Sequence, residues 1–158
     1  MIKLVFVFLF LSLLASNSYA TQDYFIKVYL DKKNNVHVIS SDGIDRKVTS
    51  DGRLSGVKIS PDTRTVIWLV LNIWIAEGDV IPGGSVLAIY QNGKLRHIKC
   101  EPFIRDYWFW SDGRQIAIDC GGRHFAGTLI LYDAVSLRKL DSISQSDVPE
   151  EKRPEWAK

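Results

Sequence analysis

A thiol and an imidazole four residues apart are the first groups in this sequence that could do chemistry. Cys120 and His124 are separated by three residues, two of them glycines that could bend the chain and bring the side chains together. A cysteine nucleophile must stay reduced, and its surroundings must lower its pKa. A second cysteine, Cys100, favours a disulfide instead in a chain bound for an oxidising compartment. We therefore expect a Cys100–Cys120 bond, with two buried free thiols as the alternative, and no catalytic thiol.

The same cysteines and two histidines offer the ligand types of a zinc site. His97 precedes Cys100 by three residues, and His124 follows Cys120 by four, which is close to the spacing of zinc ligands. Side chains three residues apart on a strand point to opposite faces, so His97 and Cys100 reach one ion only if the strand breaks there. The sequence favours surface histidines beside a disulfide, and we expect no metal and no other cofactor.

Several carboxylates could form a general acid–base pair. They are Glu101, Asp106, Asp112 and Asp119. Asp112 is explained by a turn, because an Asp side chain accepts hydrogen bonds from backbone amides two residues on. Asp119 could pair with Arg105 or Arg123. Catalytic carboxylates also need a cleft and a defined separation, so we expect that the protein is not an enzyme.

The elements that must position these residues are strands. Alternating apolar and β-branched residues predict three hairpins, which pair 24–30 with 36–39, 86–90 with 95–98, and 128–132 with 137–140. The second hairpin has Asn92-Gly93 where a two-residue turn needs positive φ. No segment of ten or more residues shows a helical apolar rhythm. The sequence therefore predicts an all-β fold.

A repeated pattern links these hairpins. Residues 59–68 and 109–118 each read as a short strand, a bend with Asp and Arg, and a β-branched strand. This pattern resembles the blade repeat of TolB-like periplasmic propellers. It divides the chain into 24–62, 63–112 and 113–143, about two and a half blades, whereas closed propellers need four to eight. We expect an incomplete β-propeller-like pair of antiparallel sheets packed face to face, with a ring completed by homodimerisation as the alternative.

The N-terminus indicates export. Residues 1–20 contain Lys3, an uncharged apolar run and Ser18-Tyr19-Ala20, which is typical of a secretory signal peptide cleaved after Ala20. A retained anchor helix is the alternative. We expect a periplasmic protein with one β domain over 21–143 and an irregular tail over 144–158. The formal net charge of +2, with both signs interspersed, does not favour nucleic acid as a partner.

Three loops depart from a minimal repeat and are candidate partner-binding segments, because loops on a rigid scaffold often carry recognition. The insertion between Leu71 and Ser85 contains Trp74, Glu77 and Asp79. The other two loops contain Glu101 and Phe103, and Gly121, Gly122, Arg123, His124 and Phe125. Aromatic residues and Arg dominate interface hot spots. The alternative is that Phe103, Trp108 and Trp110 are core anchors, which we favour for the two tryptophans on strands. A Cys100–Cys120 bond would hold the last two loops side by side.

The signal peptide, the truncated propeller and these loops are similar to periplasmic immunity proteins that neutralise peptidoglycan amidase effectors of type VI secretion. The resemblance is carried by the segments 100–105, 108–110, 119–122, 124–127 and 131–133. It implies an inhibitor that binds a secreted amidase and inserts a loop into the Cys–His active-site cleft. A general periplasmic binding or scaffolding module is the alternative.

Overall fold

The structure, a computed structural model, describes residues 24–72, 83–122 and 124–158. The expected signal peptide lies outside these residues. Eleven strands form within them: β1 Phe25–Leu30, β2 Val36–Ser40, β3 Asp45–Lys47, β4 Leu54–Ile59, β5 Val66–Asn72, β6 Gly83–Gln91, β7 Lys94–Lys99, β8 Ile104–Trp110, β9 Gln115–Cys120, β10 Thr128–Asp133 and β11 Lys139–Ser144. Two short 3₁₀ helices, Glu150–Lys152 and Glu155–Ala157, follow. In the part of the chain described here, no helix has the length and apolar character needed to cross a bilayer.

The strands form three antiparallel sheets, each a meander of consecutive strands. Sheet 1 is β1-β2-β3, sheet 2 is β4-β5-β6-β7, and sheet 3 is β8-β9-β10-β11. The prediction of an all-β fold is confirmed, but the prediction of two sheets is wrong. The additional sheet is sheet 1, in which the predicted hairpin of 24–30 with 36–39 forms β1 and β2 and Asp45–Lys47 pairs with β2. The predicted repeat units 24–62 and 63–112 also end at the wrong residues. β4 and β8 are each the first strand of the following sheet and not the last strand of the preceding one.

The two Asp-containing bends occupy the same position in sheets 2 and 3. Residues 60–65 join β4 to β5, and residues 111–114 join β8 to β9. In the first bend, the Asp62 carboxylate accepts hydrogen bonds from the Ser60 hydroxyl at 2.6 Å and the Arg64 amide at 3.1 Å. Gly113 lies against the first bend, where a Cβ would be 2.9 Å from the Ser60 Cβ. The repeated sequence pattern therefore marks bends at the same place in the two sheets, although the backbones differ: Thr63 has positive φ in the first bend, and Ser111, Asp112 and Gly113 have it in the second.

Sheet 2 lies between the other two sheets and contributes to two cores. Because side chains alternate along β5, Val66 and Trp68 pack toward sheet 1 while Ile67 packs toward sheet 3. The first core adds Phe25, Val36, Val38, Leu54, Ala88 and Tyr90, and the second adds Leu87, Ile89, Ile98, Ile104, Tyr107, Ile116 and Ile118. The result is a stack of three sheets in chain order.

The two outer faces of the stack differ. The outer face of sheet 3 is covered by the C-terminal segment, whose Trp156 packs on Leu129 and Leu131. The Trp108 indole N–H also donates to the Trp156 carbonyl at 3.1 Å. The outer face of sheet 1 is polar, with Tyr29 opposite His37 in the β1–β2 register. An apolar face is thus covered at one end of the stack, and a polar face meets solvent at the other.

Candidate functional site

A disulfide joins sheets 2 and 3 at one end of the stack. Cys100 directly follows β7, Cys120 is the last residue of β9, and their Cα atoms are 5.8 Å apart. The predicted disulfide is confirmed. No described cysteine is free, so Cys120 cannot act as a thiolate beside His124 and neither cysteine can ligate zinc. Across the described ranges, no three His, Cys, Asp or Glu side chains are grouped so that they could hold a metal ion.

The predicted loops leave the sheets at the end that carries this disulfide. Successive connections of an antiparallel meander lie at alternate ends. The C-terminal ends of β5, β7 and β9, after which the three candidate loops follow, therefore share one end. Gly121 N donates to Phe103 O at 3.0 Å and ties the second loop to the third. We call residues 101–103, 121–122 and 124–127 the loop end.

Arg105 on β8 holds the third loop in place. Its guanidinium donates to the Asp119 carboxylate at 2.6 and 3.1 Å, and to the carbonyls of Gly122 and Phe125 at 3.4 Å each. It also donates to the Gln145 side-chain oxygen at 2.5 Å. One side chain therefore bonds to the loop, to β9 and to the tail.

The glycines of the third loop make room for its neighbours. A Cβ on Gly127 would lie 2.7 Å from the Arg105 guanidinium, and one on Gly121 would lie 2.9 Å from it. A Cβ on Gly122 would lie 2.2 Å from the Phe125 ring. A Cβ would also lie 2.3 Å from Cys120 O at Gly127 and 2.8 Å from the Gly127 Cα at Gly121. These backbone atoms cannot give way as a side chain can, so the two glycines allow the loop to close over Arg105. Gly122 leaves room for the Phe125 ring to pack against the loop backbone.

Two aromatic rings stand exposed at the loop end. Phe125 is 59% exposed and Phe103 is 40% exposed, so the alternative that Phe103 is a core anchor is wrong. Phe103 follows a cis Glu101–Pro102 bond, and a Cβ on Gly83 would lie 3.2 Å from its ring. Gly83 begins β6, so the base of the first candidate loop lies beside Phe103. Exposed aromatic rings on a braced backbone are suited to contact with a protein surface.

The structure describes some of the other predicted site residues but not all of them. Glu101 and His124 are exposed at the loop end. Trp74, Glu77, Asp79 and Arg123 lie outside the described residues. The sequence predicts Arg105 only as a possible partner of Asp119, and it does not predict a role for Gln145. Gln145 accepts from Gly127 N at 3.1 Å through its side chain and donates to Gly127 O at 2.9 Å through its backbone. Its position just after a strand in a polar tail gave no signal of this role.

A second polar cluster lies on the outer face of sheet 1. The Asp45 carboxylate accepts the Tyr29 hydroxyl and lies 2.9 Å from His37 Nδ1. The rings of Tyr29 and His37 stack at 5.0 Å. The hydrogen bond from Tyr29, followed by that to His37, lowers the pKa of Asp45, and the same bond to Asp45 raises the pKa of Tyr29. Asp45 therefore links Tyr29 and His37 on the polar outer face of sheet 1.

Asp31 closes the β1–β2 hairpin below this cluster. It accepts the Lys33 and Asn35 amides at 2.8 Å each, together with the Asn35 side chain. These bonds, of which that from the Asn35 amide is the strongest, lower the pKa of Asp31 well below its usual value. Asp31 is therefore engaged in structure and is not available as a base.

A small groove lies between sheets 1 and 2. It has a volume of about 240 Å³, and its lining includes Trp68, Val70, Leu95 and His97. His97 is opposite Ala88 on β6 and thus lies on the face of sheet 2 toward sheet 1, whereas Cys100 packs in the core between sheets 2 and 3. The structure therefore does not bring His97 together with His124.

No protein-family model matches this chain, and no curated protein sequence matches it.

Proposed function

We propose that this chain is a periplasmic immunity protein that binds a secreted peptidoglycan amidase and blocks its Cys–His active site. The observation that carries the proposal is the loop end, where exposed Phe103 and Phe125 stand on a backbone braced by a disulfide and by Arg105. Because the loop is already ordered, little conformational entropy is lost on binding, which favours high affinity from an interface of ordinary size.

Export and the propeller-like architecture belong to the same proposal. The disulfide is compatible with an oxidising compartment. Consecutive four-stranded meanders with bends at matching positions support the interpretation of the sheets as blades of an incomplete propeller.

Phe125 is the side chain that enters the partner's cleft in this proposal. It is the more exposed of the two rings, and it lies on a loop whose backbone carbonyls are held at Gly122 and Phe125 itself. Inhibition needs only occlusion of the cleft by this loop, so no catalytic group is required of this chain.

The test uses residues 21–158 and the purified Cys–His amidase encoded beside this chain's gene. We expect one equivalent to abolish release of peptides from peptidoglycan, and Phe125→Ala to weaken binding at least tenfold. Val135→Ala is the matched control, because Val135 is 58% exposed and lies at the opposite end of sheet 3. Full amidase activity at stoichiometric excess would refute the proposal, and tight binding without inhibition would instead support a scaffolding module.

A further inference from the structure

Sheet 1 has one strand fewer than the other two sheets. In sheets 2 and 3, β4 and β8 form the first strand of the meander and lead through an Asp-containing bend into β5 and β9. The counterpart of β5 and β9 is β1, which pairs with β2 on one side. Among the described residues no strand pairs with its other side. No described strand therefore fills in sheet 1 the position that β4 and β8 fill in their own sheets; the bend between β4 and β5 reaches it only at Phe25, whose N–H donates to Thr63 O at 2.7 Å.

The open edge of β1 presents unused backbone groups. Asp31 N donates to Asn35 O at 3.0 Å, and Tyr29 then lies opposite His37 and Leu30 opposite Val36. Hydrogen-bonded and non-bonded pairs alternate in an antiparallel ladder. The N–H and C=O groups of Val28 and Leu30 therefore point away from β2 into the empty position, and such a row of donors and acceptors fits an extended strand.

Apolar side chains border the same position. Tyr24, Ile26 and Leu30 are 51%, 61% and 44% exposed along β1 and the residue before it. Ile59 on β4 is 40% exposed, and it pairs with Val66, which packs toward sheet 1. A strand beside β1 would cover these side chains. We call the β1 edge with Ile59 the strand slot.

No described segment of this chain supplies the missing strand. The expected cleavage after Ala20 leaves Thr21–Asp23 before Tyr24, and three residues span at most about 10 Å, which is too short for a turn and a strand. The C-terminal segment is packed on sheet 3 through Trp156. We propose that the strand slot binds an extended segment of a partner protein with apolar residues at alternate positions, which adds as an antiparallel fourth strand. This site is separate from the loop end and does not depend on amidase binding.

The experiment uses residues 21–158 and a phage-displayed library of eight-residue peptides with apolar residues at alternate positions. The double variant Ile26→Lys/Ile59→Lys places two charges in the strand slot at exposed positions. Val135→Lys is the control, with the same change at an exposed apolar residue outside the slot. Binding of enriched peptides is measured by interferometry. Amide hydrogen exchange at Val28 and Leu30 is measured by NMR, which tests the proposal on the unmodified chain as well.

We expect enriched peptides to bind the unmodified chain and Val135→Lys equally, and the double variant at least tenfold more weakly. Bound peptide should slow exchange of the Val28 and Leu30 amides at least tenfold. Failure to enrich any peptide, equal binding to the double variant, or unchanged exchange at these amides would overturn the proposal. Slow exchange of the Val28 and Leu30 amides without peptide would also overturn the proposal. If the chain is then dimeric, the strand slot is occupied by a second copy. If the slow exchange is seen only in the uncleaved chain, the strand slot is occupied by residues 1–20.

Discussion

Removal of the Arg105 side chain should both destabilise the protein and loosen the loop end. In Arg105→Ala, the bonds to Asp119, Gln145 and the two loop carbonyls are lost together. A hydrogen bond between charged groups contributes about 1.5–3 kcal/mol. The Arg105 and Asp119 side chains are 31% and 20% exposed, so solvent screening places their pair near the lower end of that range. The two longer bonds to the carbonyls of Gly122 and Phe125 add a few tenths of a kcal/mol each. We therefore expect Arg105→Ala to lower the free energy of unfolding by about 2 kcal/mol.

Arg105→Lys separates geometry from charge. A lysine keeps the positive charge beside Asp119 but cannot bond to Asp119, Gln145 and the loop at once, because its ammonium lacks the planar fork of arginine. We expect about half the loss seen for alanine. Urea unfolding followed by tryptophan fluorescence measures the stability, and amide exchange at residues 121–127 reports the local effect. A loss below about 0.5 kcal/mol for alanine, typical of a surface site, together with unchanged exchange in the loop, would refute the assigned role of Arg105.

Three further predictions concern the links within and between the sheets. Cys100→Ala/Cys120→Ala should lower the free energy of unfolding by about 3 kcal/mol in urea titrations, because the bond closes a loop with a sequence separation of 20; stability equal to that of the unmodified chain would contradict this. Tyr107→Phe should lower the free energy of unfolding by about 1–2 kcal/mol, since the Tyr107 hydroxyl donates to the carbonyls of Ser55 and Gly56 and so links sheets 2 and 3. A melting temperature no lower than that of the unmodified chain would argue against this link. Asp31→Asn should flatten the fall in melting temperature between pH 5 and pH 2. The pKa of Asp31 is lower in the folded chain than in the unfolded chain, so the ionised carboxylate stabilises the fold above its unfolded pKa and this stabilisation is lost as pH falls. An equally steep fall in the variant would refute this role of Asp31.

The strands could be predicted where local sequence decides the structure. Asn92 and Gly93 both adopt positive φ, 50° and 68°, as the two-residue turn requires. β3 could not be predicted, because Asp45-Arg46-Lys47 has no apolar alternation. Its position depends instead on side chains from elsewhere, including His37, which contacts Asp45. The third strand of sheet 1 therefore depends on polar contacts that periodicity does not encode.

The loop end could be predicted only in part. Glycines mark a loop in the sequence, but not what they accommodate, and the guanidinium beside Gly121 and Gly127 comes from a different strand. Gln145 is 40 residues from Arg105, so no local pattern links them. The exposure of Phe103 also depends on tertiary packing, because an aromatic residue beside a strand has the same sequence pattern whether it faces the core or solvent.

The two outer faces bear on whether these sheets form part of a ring. A ring completed by a second copy needs an apolar face at each end of the stack. Sheet 3 has such a face, but Trp156 and Ala157 already cover it, and exposing it would cost much of the about 1.5–3 kcal/mol associated with each large apolar side chain. The outer face of sheet 1 carries the bonded Tyr29, His37 and Asp45 side chains, which another sheet would have to desolvate. These costs favour a stack that ends at both faces, which leaves the loop end and the β1 edge for the contacts proposed above.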